Sequence, residues 1–198
     1  MSDAPAAGQA PDGAACVAFL DASVLYPATL RNLLMHLAVA GLFRARWTEK
    51  VQDEWTAALL RDRPDLDAAR LAHRRRLMDT YILDARVTGY EHLIDGLVLP
   101  DPDDRHVLAG AIHGGAPVIV TANLRHFPAA TLVPHGIVAQ HPDVFVRALI
   151  EDDAEAVVAA VSDHRAALTN PPKTPDEYLG ILERHHMAET IAALRSFI

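Results

Sequence analysis

Two short runs of apolar residues constrain the fold of this chain more than any other feature. Val17–Leu20 and Val118–Val120 contain no polar residue, which is typical of strands buried on both faces of a sheet. Apolar residues at helical spacing predict helices over 30–42, 49–61 and 102–113. Because strands that alternate with helices form parallel sheets, the sequence predicts an α/β fold with a central parallel sheet.

Less regular patterns complete this outline. They predict a helix over 65–79, strands at 47–48, 81–87 and 136–139, a turn and loop over 123–134, and a helix from residue 142. Residues 90–98 fit a helix and a strand equally well, and the tail beyond residue 151 has helical patterns broken by a proline-rich segment. We therefore divide the chain into a disordered lead-in (1–15), an α/β domain (16–148) and a C-terminal helical extension (149–198).

The N-terminal segment and the apolar content predict where the protein works. Residues 1–13 are rich in Ala, Pro and Gly and lack the basic-then-apolar order of a secretory signal. No apolar stretch approaches the roughly 20 residues that a membrane helix needs. The single Cys16 cannot form an internal disulfide, which agrees with a reducing compartment. We expect a soluble, cytoplasmic protein that has no membrane partner.

Three acidic residues occupy positions that face the predicted interior. Asp21 directly follows the first apolar run, and Glu54 and Asp104 stand three or four residues from apolar residues of their helices. An isolated buried carboxylate is costly, so such groups are almost always paired or bound to a metal. Because no Lys or Arg lies in these apolar stripes, the three residues predict a divalent metal site. Oxygen ligands without Cys favour Mg²⁺ or Mn²⁺.

Each candidate also has a structural alternative. Asp21 can instead cap the turn that follows it, and Glu54 can reach solvent from the edge of its apolar stripe. Asp101 is interpreted first as a helix N-cap, with Pro102 at the first helical position. Asn123, which follows the second apolar run, is either a site residue or a left-handed turn residue.

The charge distribution is uneven. The net charge is −8, which argues against wrapping a nucleic-acid backbone around the whole protein. Residues 44–76, however, hold nine Arg or Lys against six acids, whereas residues 151–198 hold nine acids against four basic residues. The basic stretch is interpreted either as a local contact for a phosphate backbone or as a solvated helix face.

Other common catalytic patterns are absent from the sequence. It contains no P-loop, no G-x-S-x-G, no G-x-G-x-x-G and no Cys in a catalytic context. The eleven histidines, His126 among them, show no zinc-ligand spacing and are interpreted as surface or capping residues. Nucleophilic, dinucleotide-dependent and zinc chemistry therefore lack support.

Four segments in chain order resemble the PIN-domain nucleases, in the branch that includes VapC-like toxins of bacterial toxin–antitoxin pairs. The segments are VAFLDAS (17–23), WTEKVQDE (47–54), LPDPDDRHVLA (99–109) and VIVTAN (118–123). The resemblance spans about residues 16–148. It implies a three-layer α/β/α domain and a Mg²⁺- or Mn²⁺-dependent endoribonuclease that hydrolyses RNA phosphodiester bonds.

The resemblance also implies roles for individual residues and partners. The acidic metal ligands and catalytic residues would be Asp21, Glu54 and Asp104, with Asn123 at the fourth catalytic position, Ser23 and Thr121 as polar support, and Asp101 at the rim of the pocket. The partners would be an RNA substrate, a protein antitoxin and a second copy in a homodimer. Basic residues are expected to position the RNA backbone, and the candidates are Arg31, Arg74, Arg75 and Arg125.

The chain departs from the family pattern at two positions. Many relatives carry an Asp where Asn123 stands, and often an Asp where His126 stands. The lower negative charge is expected to weaken metal affinity, which motivates an alternative function: a catalytically degenerate PIN scaffold that binds RNA or a protein without cleavage. A third hypothesis, an α/β phosphatase, requires a second Asp two residues after the first, and this chain has Ser23 there.

Overall fold

The computed structural model describes residues 15–197. The strands of this part of the chain are β1 (Val17–Leu20), β2 (Arg44–Thr48), β3 (Arg86–Val87), β4 (Val118–Val120) and β5 (Val138–Gln140). They form one sheet in the order β3-β2-β1-β4-β5, and every neighbouring pair is parallel. The predicted α/β fold with a central parallel sheet is confirmed. The expected lead-in, 1–15, lies outside the described residues except for its last position.

Helices surround the sheet and make up most of the C-terminal part. They are α1 (Ala22–Leu25), α2 (Ala28–Val39), α3 (Glu49–Asp62), α4 (Ala68–Tyr81), α5 (Arg105–His113), α6 (Ala129–Leu132), α7 (Pro142–Asp152), α8 (Ala154–Ala167), α9 (Pro175–Glu183) and α10 (Ala188–Leu194). Short 3₁₀ turns occupy Glu91–Gly96, Pro102–Asp104, Leu124–His126 and Val133–His135. No described helix is long and apolar enough to span a bilayer.

The two apolar runs form the centre of the sheet because both of their faces are covered. The last three residues of β1 and all of β4 are buried. Helix α5 approaches β1 closely at Gly110, where an added Cβ would lie 2.6 Å from the Phe19 ring. A glycine is therefore needed at this crossing, where α5 packs directly on β1.

The order of the strands places a crevice at the carboxyl ends of β1 and β4. The chain leaves β1 toward β2 on one side of the sheet, whereas β4 and β5 lie on the other side. Ligands in open parallel sheets bind at such a switch point, outside the carboxyl ends of the strands. Asp21 follows β1 and Thr121 follows β4 at this point.

The C-terminal helices pack onto the α/β core. Phe145 of α7 meets Phe43 edge to face, with ring centroids 4.9 Å apart, and α8 packs along α2. The buried Asp143 accepts hydrogen bonds from the backbone N–H groups of Glu189 (2.9 Å) and Thr190 (2.7 Å), and so ties α7 to the start of α10. The apolar core runs without a break from the sheet into these helices.

Some predicted boundaries differ from the structure. The strand predicted over 81–87 is only Arg86–Val87, because α4 continues through Tyr81 and the chain then turns at Asp84 with a φ of 61°. The loop predicted over 123–134 contains α6 and two 3₁₀ turns. The proposed division at 148/149 falls within α7, and the division itself stays a prediction.

Candidate metal centre

Asp21 is a buried carboxylate held by two hydroxyl groups. Its side chain, at the end of β1, belongs to a residue that is only 4% exposed. Ser23 Oγ donates to its Oδ2 at 2.6 Å and Thr121 Oγ1 donates to the same oxygen at 2.7 Å. Hydrogen bonds to an ionised group stabilise the charged form. The arrangement thus presents a carboxylate with a fixed orientation at the crevice.

The two hydroxyl groups also anchor the segment that follows β4. The backbone N–H of Ala122 donates to Ser23 Oγ at 3.0 Å, and that of Asn123 donates to Thr121 Oγ1 at 3.0 Å. Asn123 itself is exposed and has a φ of −103°, so it does not adopt the left-handed conformation considered for it. The predicted supporting residues and the predicted fourth position therefore meet Asp21 in one network.

Asp104, in the 3₁₀ turn before α5, contacts a histidine and is influenced by the charge of Asp21. His126 Nδ1 is 2.7 Å from Asp104 Oδ2 and 3.9 Å from Asp101 Oδ2. Burial raises the pKa of Asp104, the His126 hydrogen bond opposes this, and the charges of Asp21 and Asp101 raise it further. Carboxylates crowded in this way repel one another, and a cation placed between them relieves the repulsion.

Asp101 combines the two roles considered for it. Its side chain accepts a hydrogen bond from the backbone N–H of Asp103 at 3.0 Å, as an N-cap does, and Pro102 follows it. Its other carboxylate oxygen faces His126. The predicted rim position is thus also part of the acidic cluster.

Glu54 is less buried than its position on the apolar stripe suggests. Its side chain is 36% exposed and lies 4.0 Å from Lys50 Nζ. His106 Nε2 is 2.8 Å from Glu54 Oε1, but the alignment is too poor for a hydrogen bond, so both ring nitrogens of the buried His106 lack a partner. Buried polar groups normally have a hydrogen-bond partner, so the unpaired imidazole beside Glu54 is a group that a bound water or ion would satisfy.

The donor set agrees with a divalent cation. Among the described residues, Asp101, Asp104 and His126 bring one potential ligand atom each to within 4.8 Å of one another. Asp21 and Glu54 do not fall within that compact group, although the charge of Asp21 acts on Asp104. Carboxylates and an imidazole without thiolates are the ligands expected for hard or intermediate divalent ions.

Of the four basic residues expected at the RNA backbone, Arg31 does not fit. It is 2% exposed, its Nη1 donates to the Leu25 carbonyl at 2.6 Å, and its guanidinium lies 4.4 Å from the centroid of the Trp55 ring. Burial, and then the charge of Arg74, lower the pKa of Arg31 to about 10. A guanidinium enclosed in this way cannot contact a phosphate at the surface. The structure therefore does not support the predicted RNA-binding role of Arg31.

The other three basic residues differ in their surroundings. Arg75 is half-buried and forms ion pairs with Glu49 and with Asp53, the latter at 2.7 Å, so its charge is already compensated. Arg74 is exposed, and Arg125 is exposed directly beside the site, where its Nε donates to His126 Nε2 at 3.1 Å. Arg125 is the cation closest to the acidic cluster among these residues.

Two histidines of the site were missed by the sequence analysis. His126 was grouped with surface histidines because no ligand spacing surrounds it, yet it contacts Asp104 across 22 positions of sequence. His106 lies two residues after Asp104, in the helix predicted over 102–113. The helical period predicts which face of this helix is buried, but it does not predict which residue of another helix His106 contacts. Its contact with Glu54 depends on how α3 and α5 pack together.

Comparison with known proteins gives two family matches and one curated relative. A PIN-domain model matches residues 17–125, more than half of the chain, and a model of the VapC50 C-terminal domain matches residues 142–196. The protein named "Putative ribonuclease VapC50" of Mycobacterium tuberculosis is 44% identical over 79 residues, which is 40% of this chain and 47% of that protein. The match thus covers less than half the length of this relative. No solved structure matches the chain. The resemblance found in the four sequence segments is confirmed.

Proposed function

This chain belongs to the PIN-domain family, and we propose that it is a metal-dependent endoribonuclease that hydrolyses RNA phosphodiester bonds. One observation carries the proposal: Asp21, at the carboxyl end of β1, is buried and oriented by two hydroxyl groups, and its charge acts on Asp104, whose pKa is raised by burial and by the charges of Asp21 and Asp101. Such an arrangement is unfavourable without a cation. The name of the Mycobacterium tuberculosis relative, "Putative ribonuclease VapC50", supports the choice of RNA as substrate.

The metal is proposed to be Mg²⁺ or Mn²⁺, held by Asp21, Asp104 and Glu54. A divalent cation in such a site supplies neutralisation of phosphate charge and activation of the attacking water. The chain's own residues orient the site: Ser23 and Thr121 hold the Asp21 carboxylate, and the same hydroxyl groups fix the backbone on which Asn123 is placed. Asn123 offers a neutral amide to the substrate or to a water molecule.

The RNA backbone is proposed to approach over Arg125 and Arg74. Arg125 stands next to the acidic cluster, so it can neutralise a phosphate that would otherwise be repelled by the carboxylates. Arg74 is exposed on α4, within the basic stretch of the sequence. Arg75 contributes less, because its charge is paired with two acids.

We further propose that the protein is the cytoplasmic toxin of a toxin–antitoxin pair and forms a homodimer. The match of its C-terminal part to a VapC50 domain model supports this setting. Co-purification with the product of an adjacent small gene, and the mass of the pure protein in solution, test the antitoxin and the dimer separately.

The nuclease function is tested by cleavage of total RNA in Mn²⁺ and in Mg²⁺. Asp21→Asn and Glu54→Gln should lower the rate by more than about a hundredfold, because loss of groups that only support a metal ligand already costs roughly 10–100-fold. The matched control is Asp103→Asn, an exposed acid that directly precedes Asp104 in the same 3₁₀ turn, and this variant should cleave normally. Undiminished cleavage in EDTA, or in both site variants, contradicts the proposal.

A second candidate function is a PIN scaffold that binds RNA or protein without cleavage. It is favoured by the exposed, neutral Asn123 and by the half-exposed Glu54, whose carboxylate is already close to Lys50 and His106. Calorimetry distinguishes the two functions, because the scaffold takes up no Mn²⁺ whereas the nuclease does. RNA binding without Mn²⁺ uptake would favour the scaffold.

A further inference from the structure

His126 occupies the position of a metal ligand, although the sequence analysis did not predict a histidine at this site. Its Nδ1 lies 2.7 Å from Asp104 Oδ2 and 3.9 Å from Asp101 Oδ2, and one donor atom of each residue falls within 4.8 Å of the others. Ligand atoms at about 2.1 Å from an ion are roughly 3 Å apart at neighbouring octahedral positions and roughly 4 Å apart at opposite ones. The three side chains can therefore share one ion with small rotations.

We infer that His126 is a nitrogen ligand of the divalent cation, together with Asp104 and Asp101, and that it makes the site prefer Mn²⁺ to Mg²⁺. The inference rests on the proposed metal-dependent function and extends its ligand set. Asp104 is common to both sets: His126 Nδ1 lies 2.7 Å from its Oδ2, and the charge of Asp21 acts on the same carboxylate.

The preference follows from the chemistry of the donors. Mg²⁺ is a hard ion that takes oxygen ligands almost exclusively and gives up its water reluctantly. Mn²⁺ also accepts oxygen but gains more from an imidazole, and its affinity for nitrogen-containing sites exceeds that of Mg²⁺. Two carboxylates with one imidazole form a mixed site, in which the nitrogen selects against Mg²⁺.

The direct test is pulsed electron paramagnetic resonance of the full-length protein loaded with Mn²⁺. The wild type should show coupling to a directly bound ¹⁴N nucleus of imidazole. His126→Asp, which keeps an oxygen ligand at the position, should lose this coupling and still bind Mn²⁺. His135→Asp, at an exposed histidine that precedes β5 at the opposite edge of the sheet, is the control and should keep it. If His126→Asp does not fold, His126→Asn replaces it in the same measurement.

Calorimetry with Mn²⁺ and Mg²⁺ measures the preference itself. The wild type should bind Mn²⁺ at least about tenfold more tightly than Mg²⁺, and His126→Asp should reduce that ratio severalfold, mainly by binding Mg²⁺ better. Absence of ¹⁴N coupling in the wild type, or its persistence in both His126 variants, would overturn the inference.

These outcomes are separate from those of the nuclease test. If the wild type cleaves RNA with Mn²⁺ but shows no nitrogen coupling, the proposed function stands and the role of His126 is wrong. If the coupling is present and is lost with His126 but RNA is not cleaved, the role of His126 stands and the nuclease function is wrong.

Discussion

The substitution Thr121→Val tests whether the hydroxyl groups around Asp21 position it. Valine has nearly the shape of threonine, so the fully buried site keeps its packing and loses only one hydroxyl group. That hydroxyl donates to Asp21 Oδ2 at 2.7 Å and accepts the Asn123 N–H at 3.0 Å. A hydrogen bond to a charged group contributes about 1.5–3 kcal/mol. In the variant, the Asn123 N–H at the surface can hydrogen-bond to water instead, so its lost bond adds little to the decrease in stability.

The expected loss of stability is therefore about 2 kcal/mol, which lowers the Tm of a domain of this size by roughly 4–8 °C. The affinity for Mn²⁺ should fall by about 10–100-fold, because Asp21 is then held by Ser23 alone. Urea unfolding measures the first effect and calorimetry the second. Thr121→Ser restores the hydroxyl and should recover most of both losses, and the exposed Thr88→Val should change neither.

The opposite result would refute this account of the site. If Thr121→Val binds Mn²⁺ as tightly as Thr121→Ser, the hydroxyl does not orient the carboxylate. A double-mutant cycle with Ser23→Ala adds a second criterion, because both hydroxyl groups donate to the same oxygen. Their coupling energy should reach about 0.5–3 kcal/mol, as for residues in one network. Strict additivity would mean that they act independently.

Three further predictions follow from single contacts. Without metal, Asp104→Asn should raise the free energy of unfolding at neutral pH by on the order of 1 kcal/mol. The reason is that the pKa of Asp104 is raised in the folded wild type. The contribution of Asp104 to wild-type stability is therefore highest below the unfolded pKa and falls as pH rises. The advantage of Asp104→Asn over the wild type in thermal melts should thus shrink as pH falls through the carboxyl range. Asp143→Ala leaves two backbone N–H groups at the start of α10 unpaired, and urea unfolding should show a loss of about 2–4 kcal/mol; a change within 0.5 kcal/mol, about that of an ordinary surface substitution, contradicts the capping role. Gly110→Ala places a Cβ 2.6 Å from Phe19, and the overpacking should cost about 1–3 kcal/mol, which a raised Tm would disprove.

The positions of Asp21 and Asp104 could be predicted because each depends on one element of local structure. An apolar strand that ends in Asp21 places that residue at the carboxyl edge of any parallel sheet, whatever the order of the strands. The helical period places Asp104 on the inner face of the segment that becomes α5. Thr48, a residue type that favours N-caps, accepts a hydrogen bond from Val51 N–H at 3.3 Å and caps α3. Local rules are sufficient for these residues.

The surroundings of Glu54 and Arg31 depend on packing between helices and were predicted less well. Glu54 lies on the correct face of α3, but that part of the helix is near the surface, so the side chain reaches solvent. Arg31 stands three residues before Leu34 and is therefore on the buried side of α2. The helical period predicts that position 31 is buried, whereas an arginine is more often found at the surface. The Trp55 ring and the Leu25 carbonyl, which accommodate the guanidinium, come from outside α2.

The three carboxylates of the site differ in how much they need a cation. Asp21 has two hydroxyl donors within 2.7 Å, so its charge is satisfied by the protein alone. Glu54 is half-exposed and is partly solvated. Asp104 is the member whose charge the fold disfavours, since burial and two neighbouring carboxylates raise its pKa against a single imidazole. Of the three, Asp104 is therefore the carboxylate that we expect a bound cation to relieve most. In the proposed site, Asp21 would mainly orient the ion, because the two hydroxyl groups already fix its geometry.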